Sequence, residues 1–174
     1  SSLVGPSEGI PLRFPDRRND HEVEVVLVIG KQGSDIPRER ALDYVAGYCL
    51  GLDMTVRGKE DRSFRKSVDG YAVLGPWMVT ADEIPDPTKL TLMTRLNGQE
   101  MQRSGTDQMI YSVPQIISFC SDFTYLHPGD IIATGTPEGV GQRRNPPVWM
   151  KAGDVLEVDI SSIGTLRVRI ADEK

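Results

Sequence analysis

Residues 21–30 read His-Glu-Val-Glu-Val-Val-Leu-Val-Ile-Gly, a short, β-branched apolar run that a glycine closes. Such a run is typical of a buried strand, whose side chains alternate between its two faces. Glu22 and Glu24 therefore point the same way. Two buried carboxylates on one face need a shared proton, a cationic side chain or a metal ion to offset repulsion and desolvation. We favour a divalent metal with oxygen ligands; the alternative is an exposed strand end with solvated glutamates.

The composition is that of one ordinary globular domain. The chain has 174 residues, 39% of them apolar and 26% charged, and we treat residues 1–174 as a single domain because no linker or repeat divides them. A formal charge of −5 without a basic stripe argues against nucleic-acid binding. No apolar run approaches the ~20 residues that span a bilayer. Cys49 and Cys120 lie in apolar segments that look helical, and they are typical of free thiols in a reducing compartment. We therefore expect a cytoplasmic protein with no nucleic-acid or membrane partner.

Two helices are expected. Residues 1–20 look irregular, and a first helix is predicted from Pro37 to about Gly51 because apolar side chains recur there at helical spacing. A second helix is predicted over residues 113–123, where Ser112 and Gln115 have the spacing of a capping box.

Strands outnumber helices in this interpretation. Leu52 to Val56 is strand-like, Asn97-Gly98 predicts a type I′ hairpin, and a second hairpin is predicted over residues 158–170. The expected class is α+β, with a mixed or rolled sheet and two helices packed on it.

Asp53 is the natural third ligand for a metal held by Glu22 and Glu24. Three carboxylates leave positions open for water and substrate, an arrangement suited to Mg²⁺, Mn²⁺ or Ca²⁺. Zinc or copper would usually bring histidine or cysteine. His21 and His127 are interpreted as structural or surface residues.

Two further segments could bind an anionic substrate. Residues 134–141 form a glycine-rich turn, including Gly135, whose backbone N–H groups can converge on a carboxylate; the alternative is a plain irregular turn. Arg57 and Lys66 flank a charge-dense run and are candidate cations for a carboxylate or an enolate. The alternative for that run is a solvated loop.

Several short motifs occur in a characteristic order. They are His21-Glu22-Val23-Glu24, Tyr44-Val45-Ala46-Gly47-Tyr48 leading to Asp53, Lys66-Ser67-Val68-Asp69, Gly75-Pro76-Trp77, Val79-Thr80-Ala81-Asp82-Glu83-Ile84, Asn97-Gly98, Pro128-Gly129-Asp130, Thr134-Gly135-Thr136-Pro137 and Gly139-Val140-Gly141. In this order, from about residue 20 onward, the chain resembles the C-terminal catalytic domain of the fumarylacetoacetate hydrolase family.

The resemblance implies a mixed β-sandwich roll with a few short helices and, usually, a homodimer. It implies Mg²⁺ or Mn²⁺ held by Glu22, Glu24 and Asp53, with Ca²⁺ as a further option. The implied substrates are acylpyruvate-like compounds or oxo-dicarboxylates. The implied reactions are C–C hydrolysis, decarboxylation or keto-enol isomerisation, in which the metal acts as Lewis acid for a developing enolate.

The resemblance also implies roles for individual residues. Lys66 would stabilise the enolate charge, Arg57 would orient the substrate, and Thr136 with Gly135 would bind a substrate carboxylate. Glu60 stands where a substrate-binding glutamine is common, so the substrate is expected to differ from oxaloacetate or fumarylpyruvate.

A second departure concerns the general base. Family members use a histidine and a glutamate upstream of the metal strand, and we expect that segment to be absent from these residues. An alternative function is therefore a metal- or ligand-binding member without turnover. A third possibility, a glycosidase-like acid and base pair, is less suited to Glu22 and Glu24 because they share one environment.

Overall fold

The computed structural model describes residues 2–6 and 9–172, and it contains two five-stranded sheets in those ranges. The strands described are β1 (Leu3–Val4), β2 (Ile10–Leu12), β3 (Arg18–Asp20), β4 (Val23–Ile29), β5 (Val45–Asp53), β6 (Thr55–Arg57), β7 (Ala72–Thr80), β8 (Thr91–Leu96), β9 (Gln99–Gly105), β10 (Ile131–Ala133), β11 (Val155–Ile160) and β12 (Gly164–Asp172). The α-helices described are α1 (Arg62–Lys66) and α2 (Val113–Phe123), and 3₁₀ turns cover Arg38–Tyr44, Pro87–Lys89, Thr106–Gln108 and Gly141–Arg143.

Both sheets are mixed. The first has the order β1-β7-β5-β4-β10 and is antiparallel except where β1 runs parallel to β7. The second has the order β2-β12-β11-β8-β9 and is antiparallel except where β2 runs parallel to β12. A short antiparallel pair, β3 with β6, stands apart. The predicted α+β class with mixed sheets and few helices is confirmed.

One hydrophobic core joins the two sheets. Leu27 of β4 and Leu50 of β5 belong to the same buried cluster as Leu156, Val158 and Ile170 of the second sheet. The contacts between the sheets include those of β4 with β8, β5 with β11 and β7 with β12. The second sheet thus packs against β4 and β5, the strands that carry Glu24 and Asp53.

The predicted helix from Pro37 to Gly51 is wrong. Only a 3₁₀ turn covers Arg38–Tyr44, and the chain then enters β5, a central strand hydrogen-bonded to both β4 and β7. The cause is tertiary pairing, which overrides the helical spacing of apolar residues. Gly51 fits this position because an added Cβ would overlap the Cγ2 atom of Val26. Cys49 accordingly lies in a strand, although its thiol is free as expected.

The prediction of irregular structure over residues 1–20 is also wrong for the described residues. β1, β2 and β3 form there by pairing with β7, β12 and β6. These strands are two or three residues long. Their partners lie far along the chain, so no local pattern marks them.

The local signals at turns and caps are confirmed. α2 occupies Val113–Phe123, and the backbone N–H of Ser112 donates to Oε1 of Gln115 at 2.8 Å. Asn97 and Gly98 have φ angles of 51° and 83° between β8 and β9, as a type I′ turn requires. Val158 pairs with Leu166 in the closing hairpin.

Among the described helices, none is long and apolar enough to cross a membrane.

Candidate metal centre

Three carboxylates meet at one end of the β4–β5 pair. Glu22 immediately precedes β4, Glu24 lies within it, and Asp53 ends β5. The strands are in register there, because the N–H of Asp53 donates to the backbone oxygen of Glu22 at 2.9 Å. One oxygen from each of the three side chains lies within 4.8 Å of the others. The three carboxylates therefore lie together as expected. Glu22 is 7% exposed and Glu24 only 4%, so these two side chains are largely shielded from water.

Lys66 links two of these carboxylates. Its Nζ donates to Oε2 of Glu22 at 2.6 Å and also to Oδ2 of Asp53. Burial acts to lower the pKa of Lys66, but the bonds to Asp53 and Glu22 outweigh it and the pKa is raised. Burial raises the pKa of Asp53, and the Lys66 hydrogen bond offsets part of that shift. Lys66 therefore remains a cation at the edge of the cluster. The solvated-loop interpretation of the charged run fails at this residue because α1 turns it inward.

Arg57 approaches Glu22 from the other side. It ends β6, and its guanidinium donates from Nη2 to Oε1 of Glu22 at 2.5 Å and from Nε to Oδ2 of Asp20 at 2.8 Å. Burial acts to lower the pKa of Arg57, but the nearby charges of Glu22 and Asp20 outweigh that effect. The pKa is therefore raised, and Arg57 stays charged. The guanidinium is thereby fixed between two acids.

Asp20 is a buried acid that our sequence interpretation did not single out. It is 0% exposed, and besides Arg57 it accepts from the N–H groups of His21 at 3.0 Å, Gly141 at 2.6 Å and Gln142 at 3.1 Å. Its position two residues before Glu22 continues the period of two that placed Glu22 and Glu24 together, so a signal existed. Asp20 connects Arg57 to the end of the glycine-rich segment.

Gly135 contacts the cluster directly. Its backbone N–H donates to Oε2 of Glu24 at 2.6 Å. Burial raises the pKa of Glu24 to about 7, although the Gly135 bond lowers it in part, and the nearby charge of Asp53 adds to the rise. Glu24 is thus the acid in this group that most lacks a cationic partner.

Thr136 lies next to that contact. It lines a cavity of about 510 Å³ together with Gly135, Ser104 and Tyr111. Its Oγ1 accepts a hydrogen bond from Nε2 of Gln102 at 2.8 Å. Gln102, on β9, is 1% exposed, and nothing local in the sequence marked it, because its partners include Val23 on β4 and Thr136 and Pro137 in the glycine-rich turn.

Other predicted residues lie elsewhere. Glu60 is exposed and accepts from Nη2 of Arg17 at 2.9 Å, and this hydrogen bond lowers the pKa of Glu60 to about 2. The structure therefore pairs Glu60 with Arg17 and not with the acidic cluster. His21 is buried, which lowers its pKa, and its Nε2 has no hydrogen-bond partner among the described residues. The ring of His127 stacks against Tyr125, with 5.1 Å between centroids.

The donor set fits a hard divalent cation. The group contains the four acids Asp20, Glu22, Glu24 and Asp53, and among residues 2–6 and 9–172 the Lys and Arg side chains bonded to them are Arg57 and Lys66. If all are ionised, two negative charges remain in a largely desolvated place, which is costly without a counter-ion. The three converging side chains are all carboxylates, the ligand type that Mg²⁺, Mn²⁺ and Ca²⁺ prefer. Glu22, Glu24 and Asp53 would hold the ion.

Comparison with known proteins identifies relatives of the chain. The family described as fumarylacetoacetate (FAA) hydrolase C-terminal matches residues 1–171. A maleylpyruvate hydrolase of Aquipseudomonas alcaligenes is 52% identical over 170 residues, covering 98% of this chain and 57% of that protein. A mitochondrial oxaloacetate tautomerase of Xenopus laevis is 41% identical over 174 residues, covering 95% of this chain and 54% of that protein.

A solved structure shares the fold closely. The maleylpyruvate hydrolase of Sphingobium sp. SYK-6, crystallised with manganese(II) and pyruvate, superposes with a TM-score of 0.91 at 36% identity. The match covers 100% of this chain and 62% of that one. The chain thus spans between half and two thirds of the length of these relatives.

Proposed function

The chain belongs to the fumarylacetoacetate hydrolase family, and from this we propose that it is a divalent-metal-dependent enzyme acting on acylpyruvate-like or oxo-dicarboxylate substrates. The reaction is C–C bond hydrolysis, decarboxylation or keto-enol isomerisation, each of which passes through an enolate. The observation that carries the proposal is the meeting of Glu22, Glu24 and Asp53 within 4.8 Å, with Lys66 bonded to two of them.

The proposed metal is Mg²⁺ or Mn²⁺, with Ca²⁺ as a further option. When bound, such an ion supplies Lewis acidity toward the oxygens of a 2-oxo acid. The manganese and pyruvate in the Sphingobium relative support this assignment, because that protein shares the fold and 36% of the sequence.

Lys66 is proposed as the catalytic cation. Its ammonium remains charged because Asp53 and Glu22 raise its pKa, and it is partly exposed, so a substrate can reach it. A fixed cation stabilises negative charge that develops on an enolate oxygen, and it needs no reorganisation during the reaction.

Arg57 and the glycine-rich turn are proposed to bind the substrate. The guanidinium of Arg57 is fixed by Asp20 and Glu22, so it can orient a carboxylate without losing side-chain freedom. Thr136 follows Gly135, whose N–H donates to Glu24, and its hydroxyl can donate to the carboxylate of the oxo acid. Glu60 can act on substrate only if it leaves Arg17, so we assign it the weakest of these roles.

The alternative of a binding module without turnover is not favoured. The relatives carry enzyme names, namely hydrolase and tautomerase, and Lys66 is present beside the carboxylates. The homodimer and the cytoplasmic location remain predictions. Size-exclusion chromatography with light scattering tests the first, and fractionation of the source cells tests the second.

Turnover assays test the proposal. The purified protein is incubated with Mn²⁺ or Mg²⁺ and, separately, with maleylpyruvate, oxaloacetate and a hydroxydienedioate, and each assay is repeated with excess EDTA. We expect turnover of at least one compound, its loss in EDTA, and a rate lowered about 100-fold or more in Lys66→Met. Lys89→Met is the matched control, because Lys89 is exposed and pairs only with Asp86 among the described ion pairs. Turnover that persists in EDTA contradicts the proposal.

A further inference from the structure

The side-chain amide of Gln102 has one unambiguous orientation. Its Oε1 accepts from the backbone N–H of Val23 at 3.3 Å, and its Nε2 donates to the backbone oxygen of Pro137 at 2.9 Å. A peptide N–H can only donate and a carbonyl oxygen can only accept, so exchanging the amide nitrogen and oxygen would break both bonds. Gln102 is also nearly inaccessible to water, which could otherwise supply other partners.

This orientation fixes the role of the Thr136 hydroxyl. Nε2 of Gln102 lies 2.8 Å from Oγ1 of Thr136 and carries only hydrogens, so the hydroxyl oxygen must accept there. A hydroxyl has a single hydrogen, and that hydrogen is then directed away from Gln102. Thr136 lines the cavity of about 510 Å³, so its O–H is available to a ligand as a donor.

The same amide also connects the glycine-rich turn to the metal strand. Val23 stands between Glu22 and Glu24, and Pro137 directly follows Thr136. Together with the bonds of Thr134 to Val25 and of Gly135 to Glu24, this buried side chain holds the turn that carries Thr136 against the metal strand.

We propose that Gln102 is a positioning residue that makes Thr136 an obligate hydrogen-bond donor toward the carboxylate of the pyruvate moiety of the substrate. The inference rests on the proposed function, since it assumes that an oxo acid occupies the site. Gln102 itself does not touch the substrate; it acts through Thr136. A donor suits an anionic ligand, because hydrogen bonds to a charged acceptor are the stronger kind.

Gln102→Glu tests the proposal with almost no change in shape. A carboxylate cannot donate, so the Thr136 hydroxyl would turn its hydrogen toward residue 102 and present only lone pairs to the ligand. The probe is pyruvate, titrated by calorimetry into protein saturated with Mn²⁺. We expect its dissociation constant to rise tenfold or more in Gln102→Glu. Gln99→Glu makes the same chemical change at an exposed position of β9 and should leave pyruvate binding within twofold of wild type.

A double-mutant cycle separates positioning from general damage. Thr136→Val removes the hydroxyl, and the pyruvate affinity of the Gln102→Glu/Thr136→Val double variant should equal that of Thr136→Val alone within about twofold. If instead the two losses multiply, Gln102 acts by another route and the proposal is overturned. Unchanged pyruvate affinity in Gln102→Glu overturns it as well.

A second variant covers the case in which Gln102→Glu does not fold. Gln102→Met has no donor and no charge, and it frees the Thr136 hydroxyl to rotate, so a smaller rise of threefold to tenfold is expected. Pyruvate binding at wild-type strength in Gln102→Met contradicts the proposal. Failure of the proposed function looks different, because wild type itself would then bind neither Mn²⁺ nor pyruvate.

Discussion

The Nζ atom of Lys66 lies 2.6 Å from Oε2 of Glu22, so the proposed catalytic cation is hydrogen-bonded to a proposed metal ligand. A divalent ion held by Glu22 would repel this ammonium. Binding and catalysis therefore make opposite demands on this position, and the first prediction follows from that opposition.

Lys66→Met should tighten Mn²⁺ binding severalfold while it lowers turnover. The first effect arises because Glu22 and Asp53 lose a competing cation, and the second because the enolate loses its charge partner. Calorimetry for the metal and steady-state kinetics for turnover give the two readouts. A variant with weaker Mn²⁺ binding would show that Lys66 supports the site only structurally.

Asp20→Asn should destabilise the protein by about 2–4 kcal/mol, because it removes the buried charge that pairs with half-buried Arg57 and disturbs the bonds to Gly141 and Gln142. Urea unfolding measures the change. Asp43→Asn is the control, since Asp43 forms an exposed pair with Arg40 and should cost about 0.5 kcal/mol or less. Equal effects of the two substitutions would argue against the Asp20 network.

Glu24 should make the metal-free protein less stable as pH rises. The pKa of Glu24 is about 7 in the folded state against an ordinary value of 4.5, so between these values the folded state binds more protons than the unfolded state. Stability is then highest below pH 4.5 for this group and is lost as pH rises through about 7, by up to about 3 kcal/mol.

Glu24→Gln isolates that contribution, because glutamine does not titrate. Urea unfolding in EDTA at pH 5 and pH 8 should show a larger loss for wild type than for Glu24→Gln. Identical losses would mean that Glu24 is ionised throughout this range.

Two glycines of residues 134–141 should respond differently to alanine. Gly135 and Gly139 have φ angles of 98° and 97°, so both substitutions strain the backbone by about 1–2 kcal/mol. A Cβ at Gly135 meets open space, whereas one at Gly139 would overlap the backbone oxygen of Met101. Gly139→Ala should therefore cost at least about 1–3 kcal/mol more than Gly135→Ala in urea unfolding. Equal costs would contradict the close packing of this turn on β9.

The sequence predicted a feature of the fold correctly where the residues that determine it lie close together in the chain. The Glu22/Glu24 face follows from strand periodicity, and α2 follows from its capping box, because the interacting residues are near one another in the chain. The prediction of a helix over the residues of β5 failed because their strand conformation depends on pairing with β4 and β7, which lie on either side of β5. No spacing rule within one segment contains that information.

The site divides in the same way. Glu22, Glu24, Asp53 and Lys66 were expected to share one site, and the structure brings the four side chains together. Gln102 was missed because its partners are Val23, 79 residues away, and Pro137, 35 residues away. Glu60 was expected to bind substrate, and the structure pairs it with Arg17. The sequence did not indicate this pair, because the two residues lie far apart in the chain and meet only when it folds.

Calorimetric titration of Mn²⁺ into wild type and Glu24→Gln tests the central claim most directly. Glutamine keeps the size of the side chain and an oxygen for the Gly135 N–H but removes one anionic ligand of three. We predict a 1:1 isotherm for wild type and binding at least about 100-fold weaker in the variant, equivalent to ~2.7 kcal/mol. Glu100→Gln, at an exposed acid bonded to Arg103, should match wild type. Equal affinity in Glu24→Gln and wild type would contradict the assignment of the metal to this cluster.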